Sequence, residues 1–255
     1  MVHFRRCGQT EIEELHCDFI GGCDGARSQC CRGSIPSGIL KTIERVYPFA
    51  WASILSEVPL VDAELIYASH SKYGFAIQSF RSPVHNRFHL QIPLGDTLAD
   101  WPDERIWNQL ELRLRLTNQT YTLAKGTILE RAIFPLRSSI TTPMQYKRLF
   151  LLGDAAHVFP PTGAKGLNVA VKDAKILADA LIDFYENGRY DKLTEYTNSC
   201  SSHIWQAQEF ANYMTLLLHN FDGNDEFEEY LQHARRKNLQ QSTYMQHYFA
   251  NKYVS

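Results

Sequence analysis

The segment of residues 148–170, RLFLLGDAAHVFPPTGAKGLNVA, constrains the fold of this chain more than any other stretch. Its apolar run at 149–152 stops at Gly153-Asp154, which is typical of a buried strand that ends in a turn. Prolines and glycines between 160 and 166 then exclude regular structure. Beyond them, apolar residues recur every three or four positions, which predicts a helix that ends at Asn187-Gly188. These residues are Leu167, Val171, Ala174, Ala178, Leu181 and Tyr185.

A strand, a Gly-rich loop and a helix in this order have a chemical consequence. The first turn of a helix has N–H groups without partners inside the helix, and the helix dipole places partial positive charge there. Such an end attracts an electron-rich ligand. The simpler interpretation is a plain connection between a strand and a helix, because Gly-Asp followed by Pro and Gly is common in turns.

Composition excludes several classes of protein. The chain has 255 residues, of which 44% are hydrophobic, and a net charge of −2. It has no basic tract, no apolar run of about 18 residues and no signal-peptide pattern, so we expect a cytoplasmic protein that binds neither nucleic acid nor membranes. The six cysteines form no CxxC pair, so they are expected to be reduced thiols and no metal site is expected.

The rest of the chain alternates between strand and helix patterns. The turn-prone Cys7-Gly8 predicts an amino-terminal hairpin, and short alternating segments over 46–92 predict an antiparallel sheet. Apolar residues at helical spacing predict a helix over 101–116 that covers one face of this sheet. Two stretches without proline, 190–221 and 227–249, predict helices at the carboxyl end.

On the string GDAAHVFPPTGAKGLNVA the chain resembles the FAD-dependent aromatic hydroxylases, in particular those that act on 4-hydroxybenzoate. The resemblance runs from about Val2 to Tyr253, and Asp24-Gly25 matches the DG motif of the family. The family's amino-terminal strand, GxGxxG loop and helix have no counterpart, since no three glycines here have that spacing. The resemblance therefore implies an amino-terminally truncated chain without a source for most adenosine and pyrophosphate contacts.

The patterns and the resemblance together imply a mixed α/β fold. Residues 1–45 and 141–185 would form part of a Rossmann-like FAD-binding domain, residues 46–140 an inserted and mostly antiparallel substrate-binding sheet, and residues 186–255 a helical region. We expect FAD and NADPH as cofactors, and a homodimer is compatible with this interpretation.

The resemblance assigns cofactor roles residue by residue. It implies a ribityl contact at Asp154 and backbone N–H groups facing the flavin pyrimidine edge at Leu167 and Asn168. The full set for FAD is Asp154, Gly163, Leu167, Asn168, Arg87, Trp51 and Asp24. The set for NADPH is Arg32, Arg137 and His157. Taken singly, His157 and Trp51 are more typical of ordinary core or turn positions.

The resemblance also implies the substrate contacts. A phenol is a weak nucleophile until it loses its proton, and Tyr67 and Tyr253 match tyrosines that flank the substrate hydroxyl. A guanidinium can bind a carboxylate through two parallel hydrogen bonds, and Arg81 matches the family's carboxylate-binding arginine. The implied catalytic set is Tyr67, Tyr253 and Pro161. The implied substrate-binding set is Ser79, Arg81, His89 and Thr162.

The reaction that the resemblance implies is the hydroxylation of a phenolic acid, such as 4-hydroxybenzoate to 3,4-dihydroxybenzoate, with O2. Two alternatives stay open. His89 stands where the family has a tyrosine, which favours a different phenol as the substrate. A chain without the GxGxxG loop is also consistent with a non-catalytic remnant that keeps an aromatic-acid-binding module.

Overall fold

The computed structural model describes residues 1–27, 30–59, 65–70, 72–115, 123–221 and 226–254. The chain separates into two compact units. Unit 1 consists of Met1–Glu44, Ser138–Phe159 and Ala164–Gln208. Unit 2 consists of Arg45–Arg137, Pro160–Gly163 and Glu209–Ser255. The division into three functional domains remains a prediction.

The described residues contain both strands and helices, which confirms the predicted mixed α/β class. The strands are β1 Val2–Phe4, β2 Glu13–Leu15, β3 Ile20–Gly22, β4 Lys41–Ser56, β5 Leu65–His70, β6 Gly74–Ser82, β7 His85–Pro93, β8 Ile128–Thr142, β9 Gln145–Tyr146, β10 Leu149–Leu151 and β11 His157–Val158. The helices are α1 Cys30–Gly33, α2 Asp103–Leu114, α3 Gly166–Asn187, α4 Asp191–Thr194, α5 Tyr196–Leu218, α6 Glu226–Gln241 and α7 Thr243–Val254. Among the described residues, no helix is both long enough and apolar enough to cross a bilayer.

Unit 1 contains a three-stranded sheet in the order β3-β10-β9. The central strand β10 runs parallel to β3 and antiparallel to β9. Both predicted strands, at Phe19-Ile20 and at 149–152, therefore exist and are neighbours. The predicted amino-terminal hairpin also exists, as the antiparallel pair of β1 and β2.

Helix α3 starts and ends where the sequence predicts. Gly188 lies beyond its last residue with φ of 66°, a left-handed conformation that glycine adopts without strain. The apolar spacing that predicts this helix does not mark its buried face, because Leu167, Val171 and Tyr185 are all more than half exposed. The buried positions are instead Val169, Asp173, Leu177, Ala180 and Asp183.

Unit 2 contains the predicted sheet, with strands in the order β8-β4-β7-β6-β5. Strands β4 and β7, β7 and β6, and β6 and β5 pair antiparallel, as the short connections indicate. Alternate residues of β7 are buried, among them Phe88, Leu90 and Ile92, and they pack in one core cluster with Trp107 and Leu110 of α2. The predicted helix over one face of the sheet is therefore confirmed, and the opposite face holds a second cluster around Trp51 and Phe75.

Candidate functional site

Two turns of unit 1 follow parallel neighbouring strands. Since β3 and β10 run in the same direction, their carboxyl ends meet at one edge of the sheet, where ligands commonly bind in α/β folds. The segment with Asp24-Gly25 follows β3, and the 3-10 turn Gly153–Ala155 follows β10. Asp24 Oδ2 accepts a hydrogen bond from the backbone N–H of Cys31 at 3.1 Å, so this carboxylate orders the start of α1.

The Gly153-Asp154 turn has a conformation and a packing that only glycine satisfies. Gly153 has φ of 56°, and a Cβ atom there would lie 3.1 Å from the Cβ of Ala170. The flanking Ala155 and Ala156 are buried, whereas Asp154 is exposed. The backbone of the turn is thus fixed against α3 while the Asp154 carboxylate remains accessible to a ligand.

A buried carboxylate on α3 connects the elements around this turn. Asp173 Oδ2 accepts hydrogen bonds from the Gly153 N–H at 3.2 Å and from His157 Nε2 at 2.6 Å, and its Oδ1 accepts one from His203 Nε2 at 3.1 Å. Burial alone would raise the pKa of Asp173, but the hydrogen bonds from the two histidines and from Gly153 outweigh it and hold that pKa below its ordinary value.

Asp173, Cys200 and His203 bring three potential metal-ligand atoms within 4.8 Å of one another. The carboxylate oxygens already accept hydrogen bonds, and burial raises the pKa of the Cys200 thiol to about 12. In this structure the three residues therefore form part of a hydrogen-bonded cluster centred on Asp173. The sequence offered no motif that identifies Asp173 or His203.

Helix α3 of unit 1 begins without a side-chain cap at Lys165, and Leu167 and Asn168 in its first turn are exposed. The first turn of α3, with its exposed residues, and the accessible Asp154 carboxylate suit the flavin portion of FAD. The flavin ring offers acceptors to helix N–H groups, and the ribityl hydroxyls can donate to a carboxylate. Unit 1 therefore has residues that suit the cofactor implied by the sequence.

The three residues assigned to NADPH lie in different settings. Arg32 on α1 donates from Nε to the carbonyl oxygen of Ala155 at 2.8 Å, so it braces the turn beside Asp154. His157 is fully buried against Asp173. Arg137 is half-buried on β8, in unit 2. Their roles with NADPH stay predictions.

In unit 2 the strand registers bring three of the predicted site residues, Tyr67, Ser79 and His89, onto one sheet face. Tyr67 pairs with Ile77, Ile77 with His89, and His89 with Ser53, so all four form one row across the sheet. Directly paired residues of antiparallel strands point to the same face. The adjacent row contains Ser79 opposite Arg87, with the Ser79 hydroxyl donating to the Arg87 carbonyl oxygen at 3.4 Å.

The hydroxyl oxygens of Tyr67 and Tyr253 lie 3.0 Å apart and share a hydrogen bond, although the residues are separated by 186 positions in sequence. Burial and this hydrogen bond raise the pKa of Tyr67 well above its ordinary value. Tyr67 therefore stays protonated at neutral pH and keeps an O–H group for donation.

His89 is a neutral imidazole beside positive charge. Its burial, and then the charges of Arg87 and Arg81, lower its pKa to about 4. Its Nδ1 atom is buried and has no hydrogen-bond partner among the described residues. Arg87 donates to Ser53 Oγ at 3.1 Å and pairs with Glu130 at 3.1 Å, whereas Arg81 is exposed at an irregularity in β6.

Trp51 contacts His219, the residue after the end of α5. The loop Pro161–Gly163 contacts the second half of the same helix. The indole Nε1 of Trp51 donates to His219 Nε2 at 2.8 Å, and His219 Nδ1 donates to the Thr215 carbonyl oxygen at 3.0 Å. The Thr215 hydroxyl donates to that of buried Thr162 at 3.3 Å. A Cβ atom at Gly163 would lie 3.1 Å from the Cα of Ala211, so the loop is packed tightly, while Pro161 is exposed. His219 was not identified from the sequence.

Comparison with known proteins identifies the family. The model of the FAD binding domain family matches residues 2–211. The chain is 43% identical over 241 residues to p-hydroxybenzoate hydroxylase of Acinetobacter baylyi. This alignment covers 94% of this chain and 59% of that protein. It is 38% identical over 217 residues to rifampicin monooxygenase of Streptomyces venezuelae, covering 75% of this chain and 42% of the relative. The chain thus spans less than two thirds of the length of these relatives.

Solved structures support the same fold. An aromatic hydroxylase from angucycline biosynthesis superposes with a TM-score of 0.71 at 16% identity, over 96% of this chain and 48% of that one. The p-nitrophenol 4-monooxygenase of Pseudomonas putida superposes with a TM-score of 0.69 at 18% identity, over 92% and 59% of the two chains. The chain therefore belongs to the FAD binding domain family and is related to the FAD-dependent aromatic hydroxylases, as its GD segment indicates.

Proposed function

We propose that this chain supplies the substrate-binding face and part of the FAD-binding domain of a monooxygenase that hydroxylates a phenolic acid such as 4-hydroxybenzoate to 3,4-dihydroxybenzoate, with NADPH and O2. The observation that carries the proposal is the single sheet face of unit 2 with Tyr67, Ser79 and His89, together with the Tyr67–Tyr253 hydrogen bond of 3.0 Å. The similarity to p-hydroxybenzoate hydroxylase supports the choice of substrate. A cytoplasmic location also stays a prediction.

The substrate phenol must lose its proton before it can react, and Tyr67 and Tyr253 would assist this step. An unperturbed phenol titrates near pH 10, so a phenolate at neutral pH needs stabilisation of about 4 kcal/mol. Tyr67 remains protonated because its pKa is raised, so its O–H can donate to the phenolate oxygen. Tyr253, in contact with Tyr67, would then continue the path for the proton.

The carboxylate of the substrate would bind the basic groups of the same face. Arg87 is already engaged with Ser53 and Glu130, whereas Arg81 is exposed and has no ion-pair partner among the described residues. His89 is neutral at pH 7 and can add a hydrogen bond without adding charge. When bound and reduced, FAD would supply the oxygen-activating chemistry. Asp154 and the start of α3 are the residues that would hold its flavin portion.

A titration of the protein with 4-hydroxybenzoate tests the binding part of the proposal. Arg81→Gln should weaken the affinity by about 10- to 100-fold, because a hydrogen-bonded contact between charged groups is lost. Arg105→Gln is the matched control, since Arg105 stacks on Trp101 over the other face of the sheet and should leave the affinity unchanged. Equal affinities of the Arg81→Gln protein and its parent would remove Arg81 from the site.

Product analysis then separates the two classes of function. The FAD-loaded protein, given NADPH, O2 and 4-hydroxybenzoate, should form 3,4-dihydroxybenzoate. Binding of the acid without any product would support the non-catalytic binding module. Product from a different phenol, but not from 4-hydroxybenzoate, would support the alternative that His89 favours.

A further inference from the structure

We propose that Asp173 is the positioning residue of the Gly153-Asp154 turn: it holds the backbone that presents the Asp154 carboxylate to the cofactor. The ligand in this statement rests on the proposed FAD-dependent function, but the arrangement itself rests on contacts within unit 1. Neither the sequence motif nor the matched family residues assigned a role to Asp173.

Helix α3 contacts Gly153 at two points on one face. Ala170 and Asp173 are three positions apart, so they lie on the same side of the helix. The Cα of Gly153 packs over the Ala170 side chain so closely that a Cβ would come within 3.1 Å, and the Gly153 N–H donates to Asp173 Oδ2 at 3.2 Å. The packing on Ala170 sets the distance between the turn and the helix, and the hydrogen bond to Asp173 sets the orientation of the Gly153 N–H.

The two histidines hold the Asp173 carboxylate in the orientation that this contact needs. His157 follows the turn on β11 and bonds to Oδ2 at 2.6 Å, while His203 on α5 bonds to Oδ1 at 3.1 Å. With both oxygens engaged, the side chain has little freedom to rotate away from Gly153. The carboxylate thus links the turn, the strand after it and two helices, and Asp154 is the exposed residue between these fixed points.

A buried carboxylate also stabilises the fold in general, so the test must separate local positioning from stability. Asp183 provides the matched control, because it is a second buried aspartate on α3 and bonds to Asn187 and Arg189 rather than to the turn. Asp173→Asn and Asp183→Asn would be compared by the hydrogen exchange rates of the Gly153 and Asp154 amides and by fluorescence titration with FAD.

We expect the Gly153 and Asp154 amides to exchange about tenfold faster in Asp173→Asn than in the parent, since a hydrogen bond to a charged group is lost locally. The Asp183→Asn protein should exchange at these amides as the parent does. FAD affinity should fall about tenfold in Asp173→Asn only. Equal exchange at Gly153 in both variants would overturn the inference.

A second pair of variants covers the case in which Asp173→Asn does not fold. His203→Leu removes one bond to the carboxylate and should raise exchange at Gly153, while His203→Gln retains an N–H donor and should restore protection. Exchange at Gly153 that is the same in both would contradict the positioning role. If the parent protein does not bind FAD, the proposed function fails, but the exchange measurements still decide the role of Asp173.

Discussion

Each unit of this chain holds a fully buried histidine, and the two are stabilised in opposite ways. His157 in unit 1 bonds to a carboxylate, Asp173, at 2.6 Å. His219 in unit 2 has no carboxylate partner among the described residues: it bonds to Trp51 and a backbone carbonyl and lies against the rings of Phe49 and Phe75, with centroid distances of 4.6 and 4.4 Å. The first arrangement depends on a buried charge, the second on its absence.

This difference fixes what each region tolerates. The Trp51–His219 pair needs a neutral imidazole whose Nδ1 carries the proton and whose Nε2 accepts, because both neighbours dictate those roles. The Asp173 cluster needs an ionised carboxylate to accept three hydrogen bonds at once. Loss of charge therefore damages unit 1, and gain of charge damages unit 2.

Among the single substitutions, removal of the carboxylate should have the largest effect. Asp173→Ala leaves His157, His203 and the Gly153 N–H without their acceptor in a buried region, and breaking such a group typically costs about 3–5 kcal/mol. Urea denaturation followed by circular dichroism measures this loss. Asp183→Ala should cost clearly less, since the ion-pair partners of Asp183, Arg189 and Lys192, are exposed. Equal losses in the two variants would contradict the importance of the cluster.

Acidification should lower the free energy of unfolding in two different pH ranges, one for each unit. Burial lowers the pKa of His219 to about 3, and burial with the charges of Arg87 and Arg81 lowers that of His89 to about 4. An unfolded histidine titrates near 6.5, so below that pH the unfolded chain binds protons that the folded chain does not. The free energy of unfolding should thus fall between pH 6.5 and 4, by about 1.4 kcal/mol per pH unit for each histidine.

The carboxylate cluster loses its contribution in a lower window. The pKa of Asp173 is held below its ordinary value of 3.8, so its stabilisation is complete above that pH and declines only as the pH falls further. Urea titrations at pH 7, 6, 5 and 4 check the histidine window, and titrations continued to pH 3 and 2 check the window of Asp173. A free energy of unfolding that stays constant from pH 6.5 to 5 would contradict the neutral histidines of unit 2.

A smaller effect should follow when the indole loses its acceptor. His219→Leu leaves the Trp51 N–H buried without a partner, which costs about 1–3 kcal/mol. Trp51→Phe removes that N–H, so the double variant should be less destabilised than the sum of the single variants. Between pH 6.5 and 4, the free energy of unfolding of the His219→Leu protein should also fall less steeply with decreasing pH, because one of the two neutral histidines is gone. Additive losses would show that Trp51 and His219 do not interact.

The fold could be predicted where the pattern is local. The alternation in β7 and the Asn187-Gly188 end of α3 depend on neighbouring residues, and both predictions are confirmed. The buried face of α3 could not be predicted in the same way. Asp173 is buried because His157 and His203, 16 and 30 positions away, supply its hydrogen bonds, and no hydrophobic pattern encodes those partners.

The candidate site shows the same limit. The resemblance predicts Tyr67, Ser79 and Arg81 as site residues, and the strand register explains how Tyr67 and Ser79 share a face. His219 and Asp173 belong to no motif, and the side chains that bond to them are distant in sequence. Buried polar groups that support a site are visible only once the partners are brought together by the fold.

The smallest effect on stability, and the most informative one on function, is expected from Tyr67→Phe. The ring packing against Phe75 is kept, while the hydrogen bond between Tyr67 and Tyr253 is lost at a cost of about 1 kcal/mol. The substrate phenolate would lose a hydrogen-bond donor, so the FAD-loaded protein should still bind the acid and consume NADPH but form less product. The measurement is product formed per NADPH consumed, with Tyr73→Phe as the control, because Tyr73 is a half-buried tyrosine at the other end of the β5–β6 hairpin. An unchanged ratio in Tyr67→Phe would make Tyr67 a packing residue and assign the proton to another route.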